Sequence, residues 1–429
     1  MTTVAASALA ASLVAVAAQA QIEFERTPID YHGPTNDPVA RLQARLDVGE
    51  VKLDYDDKHG YLPAVLRLLD VPEASQMLVF SKTSFQLRRI SPRTPRSVYF
   101  NDENYVGWVQ HGDVVEVSSV DPRQGAVFYT LSQERTDAPR FLRDKGQCLT
   151  CHASSRTQGV PGHLVRSVFA DPDGQPQLGS GTFTTDHRSP FSERWGGWYV
   201  SGTHGAMRHM GNVLVTDRGN PEDIDRESGA NITGLSALVD VSPYRQPTSD
   251  IVALMVLEHQ SQMHNLLTLA NYEARSAAHH DEVMNQVLHR EAGYQSESTE
   301  RRIAAVGDKL LGYLLFSDEF QLTSPVTGTT AFAETFAAVG PRDSRGRSLR
   351  DFDLTQRLFR YPCSYLIYTP AFDALPDPVK QYVAARLHGV LSGADQGPEF
   401  AHLSPEDRNA IRQILEETKP SLFAGLSPP

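Results

Sequence analysis

Two cysteines and a histidine fall within five consecutive residues, Cys148-Leu149-Thr150-Cys151-His152. Thiols at this spacing sit one helical turn apart, close enough to add to the two vinyl groups along one porphyrin edge. The adjacent imidazole can then swing under the ring and give a nitrogen to iron. This is the C-x-x-C-H attachment signature of haem c, so the expectation is one covalently bound haem c with His152 as proximal iron ligand. Two other chemistries use paired cysteines. A thioredoxin-like pair follows a strand in a βαβ unit, and the polar run 132–147 does not supply one. A structural zinc site needs further ligands, yet the third cysteine, Cys363, lies far downstream. Cys363 sits beside Leu366, Ile367 and Tyr368 and reads as a buried, inert thiol.

The other face of such a haem needs a ligand, or else stays open for chemistry. The Gly-rich stretch 195–212 holds Trp195, Trp198, Met207, His209 and Met210. Met210 is the first choice for a sixth ligand, with His209 and Met207 as alternatives, and the tryptophans could wall the haem. The competing reading of this stretch is a structural loop of packed aromatics. A second group, His259, Met263 and His264, lies on a segment with helical spacing, where four-residue separation puts His259 and Met263 on one face. That face reads either as part of a haem pocket or as a hydrogen-bonded helix surface. Arg140, Arg143, Arg156 and Arg166 flank the motif and are candidates to pair with haem propionates.

The elements that position these residues follow from hydrophobic period. Helical spacing runs through 36–71, with Pro38 in a first-turn position and Val39, Leu42 and Leu46 on one face. From Met77 the period changes to short β-branched and aromatic runs at 78–80, 98–100, 105–110, 114–120 and 127–131. Turn residues such as Asn101-Asp102 and Asp121-Pro122 separate them. About five antiparallel strands are expected. The segment 159–211 is rich in Gly and Pro and reads as loop with short strands. Helical spacing returns at 250–278 and around Ile303, Leu310 and Leu314. Ser404-Pro405-Glu406-Asp407 then supplies an N-cap, a first-turn proline and an acidic third position. The fold class is therefore α+β. The expected units are a signal peptide over 1–20, a helical lead-in with an antiparallel β-rich region over 21–132, a haem-binding loop-rich middle over 133–245, and a mainly helical region over 246–429 packed on the haem region.

The first 20 residues carry no charge and end in Ala18-Gln19-Ala20, a small-x-small pattern like signal-peptidase sites, although no basic residue precedes it. An exported, periplasmic protein follows. No later apolar run approaches the roughly 20 residues of a membrane helix, so stable membrane insertion is not expected. A net charge of -12 argues against nucleic acid and favours a basic redox partner protein. G-x-S-x-G, H-E-x-x-H, Walker A and dinucleotide fingerprints are absent from the sequence.

At residues 148–152 the chain resembles the cytochromes c, and the distance from the motif to Met207 and Met210 is similar to the ligand spacing of small single-haem members. The segment beginning Ser404-Pro405-Glu406-Asp407 looks like the terminal helix of that fold. The chain departs from that family in its strand- and loop-like Trp/Gly segment and in being several times larger than a simple carrier. Phe80-Ser81-Lys82-Thr83-Ser84, Trp195-Gly196-Gly197-Trp198-Tyr199 and Tyr361-Pro362-Cys363-Ser364-Tyr365 look like a group of large exported single-haem bacterial cytochrome c domain proteins. That second resemblance spans most of the chain and implies architecture without a reaction. The functional expectation is one-electron transfer at haem iron within an oxidoreductase. The alternatives are a haem peroxidase or oxidase with an open sixth position, and a haem-based sensor or binding module.

Overall fold

The computed structural model describes residues 23–217 and 219–424, so the expected signal peptide lies outside the described residues. Two helices come first, α1 (Pro38–Asp47) and α2 (Leu62–Leu68). Asp37 caps α1 by accepting hydrogen bonds from the Val39 and Ala40 amides, with Pro38 in the first turn. Strands β1 (Met77–Val79), β2 (Arg96–Phe100), β3 (Asn104–Trp108), β4 (Val114–Asp121), β5 (Gly125–Ser132) and β6 (Phe141–Arg143) follow. After them come the turn of helix α3 (Leu149–His152), a hairpin of β7 (Val165–Val168) and β8 (Thr182–Thr185), and β9 (Trp198–Tyr199).

The sheet runs β6-β5-β4-β3-β2-β1-β9, antiparallel throughout. The five expected strands are its centre. Two more extend its edges: β6, inside the polar run, and β9, inside the Gly-rich stretch. Both faces are covered, and alternation along β2 shows how: Val98 and Phe100 enter one core while Tyr99, between them, enters the other. One core joins the sheet to α1 and α2 through Val39, Leu42, Leu62 and Val65. The opposite core joins it to the C-terminal helices. Burial on both sides explains why the strands read as continuous apolar runs and not as apolar-polar alternation. The fold is α+β, with the antiparallel sheet in the N-terminal part and a mainly helical C-terminal half.

The C-terminal half is organised on α4 (Ile251–Val287), followed by α5 (Glu297–Leu314), α6 (Phe332–Ala338), α7 (Pro370–Asp373), α8 (Asp377–Ser392) and α9 (Pro405–Thr418). α5 packs on α4, α8 on α5 and α9 on α8. The α9 start is the expected capping box, Ser404 and Asp407 bonding each other's amides. The first two-thirds of α4 is enclosed all round, and its polar side chains there tie down loops. Gln260 donates to the Asn101 carbonyl at 2.7 Å, and the His264 imidazole bonds the Asp102 carbonyl at 2.9 Å. Cys363 is fully buried in the same core, and burial pushes its thiol well above the usual range. Among the described residues, no helix is long and apolar enough to cross a membrane.

Asp250 anchors the start of α4 with both carboxylate oxygens. One accepts from the Val252 and Ala253 amides, the other from the Thr329 and Thr330 amides at 2.7 and 2.8 Å. Asp250→Ala therefore strands four amides, two of them fully buried, and urea unfolding is expected to show a loss of roughly 2–4 kcal/mol.

Candidate functional site

The Cys148 to His152 turn stands at the β5–β6 edge of the sheet. Leu149 and Ala153 pack with Ala126 and Phe128 of β5, Tyr272 of α4 and Phe24, Ile29 and Tyr31 of the lead-in, and Cys148 lies against the same cluster. The Asp144 carboxylate caps the turn by accepting from the Gly146 and Cys148 amides at 2.8 and 3.0 Å. All three cysteines are free thiols, Cys148 half-buried and Cys151 exposed. Burial, reinforced by the Asp144 charge, pushes the Cys148 thiol up to about 12, so it is neutral near pH 7.

His152 is held from behind. Its Nδ1 bonds the Gly162 carbonyl at 2.9 Å, and the Gly162 amide donates back to the His152 carbonyl at 2.8 Å. Nδ1 therefore carries the ring proton. Nε2, the nitrogen with the lone pair, has no hydrogen-bond partner among the described residues. Burial holds the imidazole below its usual value, so it is the neutral, metal-competent form. The ring lies 4.8 Å from Phe128, centroid to centroid.

The 162–163 segment is fixed in turn by Asn265 of α4. Its Oδ1 accepts from the His163 amide at 2.8 Å and its Nδ2 donates to the His163 carbonyl at 2.7 Å. A Cβ on Gly162 would stand 2.1 Å from that same Oδ1, which is why glycine occupies the position. His163 bonds Ser118 through Nε2 at 2.7 Å, and its ring lies tilted 4.0 Å from that of Tyr105, centroid to centroid. Sequence reasoning did not single out His163, Asn265 or Ser118. A lone histidine after Pro-Gly carries no motif, and only the fold brings it beside the turn.

A half-open, polar cleft of about 310 Å³ adjoins the motif turn. It is walled by the segment that follows the motif, by the β7–β8 hairpin and by Ser261 and Gln262 of α4. Next to it lies a buried ion pair, Arg194 to Glu258 at 3.0 Å. Burial pushes the Glu258 carboxyl up to about 7 against the pull of Arg194.

The expected sixth ligands are placed in other clusters than the one holding the motif. Met210 packs with Phe169 and Val215, and its sulfur faces the Ser167 hydroxyl at 3.7 Å. Met207 joins the main helical core with Trp195 and Trp198. His209 accepts the Gly211 amide on Nδ1 at 3.0 Å and lies edge-on to Trp195. On α4, His259 is committed to His187 and Ser364 at 2.8 and 2.7 Å, and Met263 is core. His264 is nearer the motif, its ring 6.0 Å from that of His163. Of the flanking arginines, Arg140 pairs with Asp47, Arg143 donates to the Gly33 carbonyl, and Arg166 donates to the Thr182 hydroxyl. Among the described residues, Arg156 has no acidic partner.

Among the described residues, no group of three or more His, Cys, Asp or Glu side chains gathers to hold a metal ion. A zinc site needs such a group; a haem does not, because the porphyrin brings four nitrogens and asks the protein for one or two. Two free thiols on one turn and a neutral imidazole whose Nε2 is unengaged among the described residues are the donor set that a haem c attachment would use. The chain matches no family model, no curated protein and no solved structure.

Gly162→Ala is expected to cost about 1–3 kcal/mol through the clash with Asn265, while Gly179→Ala, where a Cβ meets nothing within 4 Å, leaves thermal stability unchanged. Equal melting shifts in the two variants would contradict the clamp. A second expectation concerns pH. Burial depresses His152, His163, His187, His204, His209, His259 and His264, His209 to about 3 and His264 to about 4. The unfolded chain binds these protons near 6.5 and the folded chain does not, so their contribution to stability falls as pH drops below 6.5. Glu258 and Glu319, raised to about 7, act in the opposite sense between 4.5 and 7. The histidines outnumber them. The melting temperature is expected to fall by roughly 5 °C or more between pH 7 and 5, and calorimetry showing a rise would contradict this balance.

Proposed function

We propose that this chain is an exported redox protein carrying one haem c, joined to Cys148 and Cys151 through thioethers and ligated by His152 Nε2, and that it passes single electrons as part of an oxidoreductase. The observation that carries the reading is the state of His152. Nδ1 is committed to a backbone carbonyl, Nε2 has no partner among the described residues, and two free thiols share the turn. When bound, a haem supplies a one-electron couple.

The chain's own residues supply the setting. Gly162 fixes the tautomer and orientation of His152, and its carbonyl, by accepting the Nδ1 proton, makes Nε2 a stronger donor. Asn265 holds Gly162 and His163 to α4, so the proximal side is rigid. Phe128 and Leu149 offer an apolar wall on the sheet side of the turn. The exposed Cys151 side suits an edge open to a partner, and the net charge of -12 suits a basic one.

A second reading, a haem peroxidase or oxidase with an open sixth position, draws support from the packing of Met210, Met207 and His209 in other clusters and from the polar cleft beside the motif. In that reading Glu258, near neutrality in its titration and close to the cleft, is the candidate acid and base. A third reading, a haem-based sensor, is the one that steady-state reductase or peroxidase turnover would remove.

The test is chemical. Haem is expected to stay with the protein in acidified organic solvent, and Cys148→Ser/Cys151→Ser to abolish that retention; haem extracted from the unaltered chain would overturn the proposal. Carbon monoxide added to the ferrous protein then separates the readings, since an unchanged spectrum marks a sixth protein ligand and a carrier, and a CO band marks an open site.

A further inference from the structure

The cleft beside the motif has a cationic mouth in a chain whose net charge is -12. Arg156 stands there without an acidic partner among the described residues, and Arg166 lies near it, its charge disfavoured first by burial and then by Arg156. Lys309 of α5 reaches the same mouth, donating to the Gln158 side chain at 2.6 Å. Arg188 and Asp186, on the hairpin wall, neutralise each other at 2.8 Å. Arg156 and Lys309 thus stand at one opening without an acidic partner among the described residues, with Arg166 nearby.

The interior adds two polar side chains. His163, 6% exposed, lines the cleft with Nε2 engaged by Ser118, and its Nδ1 is a buried polar atom with no partner among the described residues. In the tautomer that an anion selects, the Ser118 hydroxyl donates to Nε2 and Nδ1 carries the ring proton as a donor. Gln262 accepts from Asn265 through Oε1 at 3.2 Å, which leaves its amide NH2 as a second donor on the cleft wall. A buried donor without an acceptor costs free energy unless a ligand supplies one.

We propose that this cleft is an anion site that takes a carboxylate or small oxyanion, held by Arg156 at the mouth and by the His163 and Gln262 donors inside. Two sources share this chemistry: a propionate of the covalently attached haem, or a free small anion. The first source rests on the function proposed above; the second does not.

The experiment is calorimetric titration of acetate and inorganic phosphate at fixed ionic strength into the full chain, prepared with and without covalent haem. Binding to the haem-free chain alone assigns the site to a propionate, and binding to both assigns it to a free anion. Arg156→Ala is expected to weaken binding about tenfold, while Arg140→Ala, whose guanidinium is paired with Asp47, leaves it unchanged. Should the haem-free chain fail to fold, Arg156→Ala in the haem-bearing protein keeps the question open to decision by spectroelectrochemistry. A shifted midpoint potential supports the propionate, and an unshifted potential with weakened acetate binding supports the free anion. Absence of binding to either form with an unshifted potential, or an Arg140→Ala effect as large as that of Arg156→Ala, overturns the proposal. A chain that binds acetate yet never acquires haem would separate failure of the functional reading from failure of this one.

Discussion

The two hydrogen bonds between the Asn265 carboxamide and the His163 backbone are the constraint on which the site depends. Asn265 belongs to the long helix that organises the C-terminal half, and His163 follows the glycine whose carbonyl orients His152. Through this one side chain, a four-residue turn too short to hold its own shape is referred to a 37-residue helix capped and buried in the core. The contact leaves no room for a Cβ on Gly162, so sequence and geometry are locked at the same point.

The sheet depends on a related economy. With strands buried on both faces, α1 and α2 on one side and the C-terminal helices on the other, the N-terminal and C-terminal halves share a core and are not separable layers. Buried polar groups on α4 make that shared core specific. Gln260, His264 and Asn265 each satisfy backbone groups of loops from the first half, so a rotation of the helix would leave several groups without partners at once.

Much of this was legible in the sequence, for local reasons. Apolar runs between turn residues marked five strands, Pro38 marked one helix start by its first-turn position and Ser404-Pro405 another by cap chemistry, and α+β followed from their order. Strands β6 and β9 were not legible because they are two or three residues long and exist only by pairing with an edge already built. The C-x-x-C-H turn announced itself because its chemistry is contiguous. His163, Gln262 and Glu258 did not, because they converge from separate elements and no spacing encodes the convergence. The run from Trp195 to Met210 drew attention for its composition. The fold uses it as packing, with Trp195 fully buried and Met210 against Phe169.

The depth of Cys363 gives the chain an order of events. In an extended polypeptide three thiols compete, and an oxidising environment can join any two. Once the helical half closes, Cys363 is sealed under Tyr365 and its neighbours, and only the pair on the turn remains chemically available. Folding ahead of thiol oxidation therefore leaves only the pair on the turn available, and a delay in closing the core leaves Cys363 open to mispairing that thiol exchange must then undo.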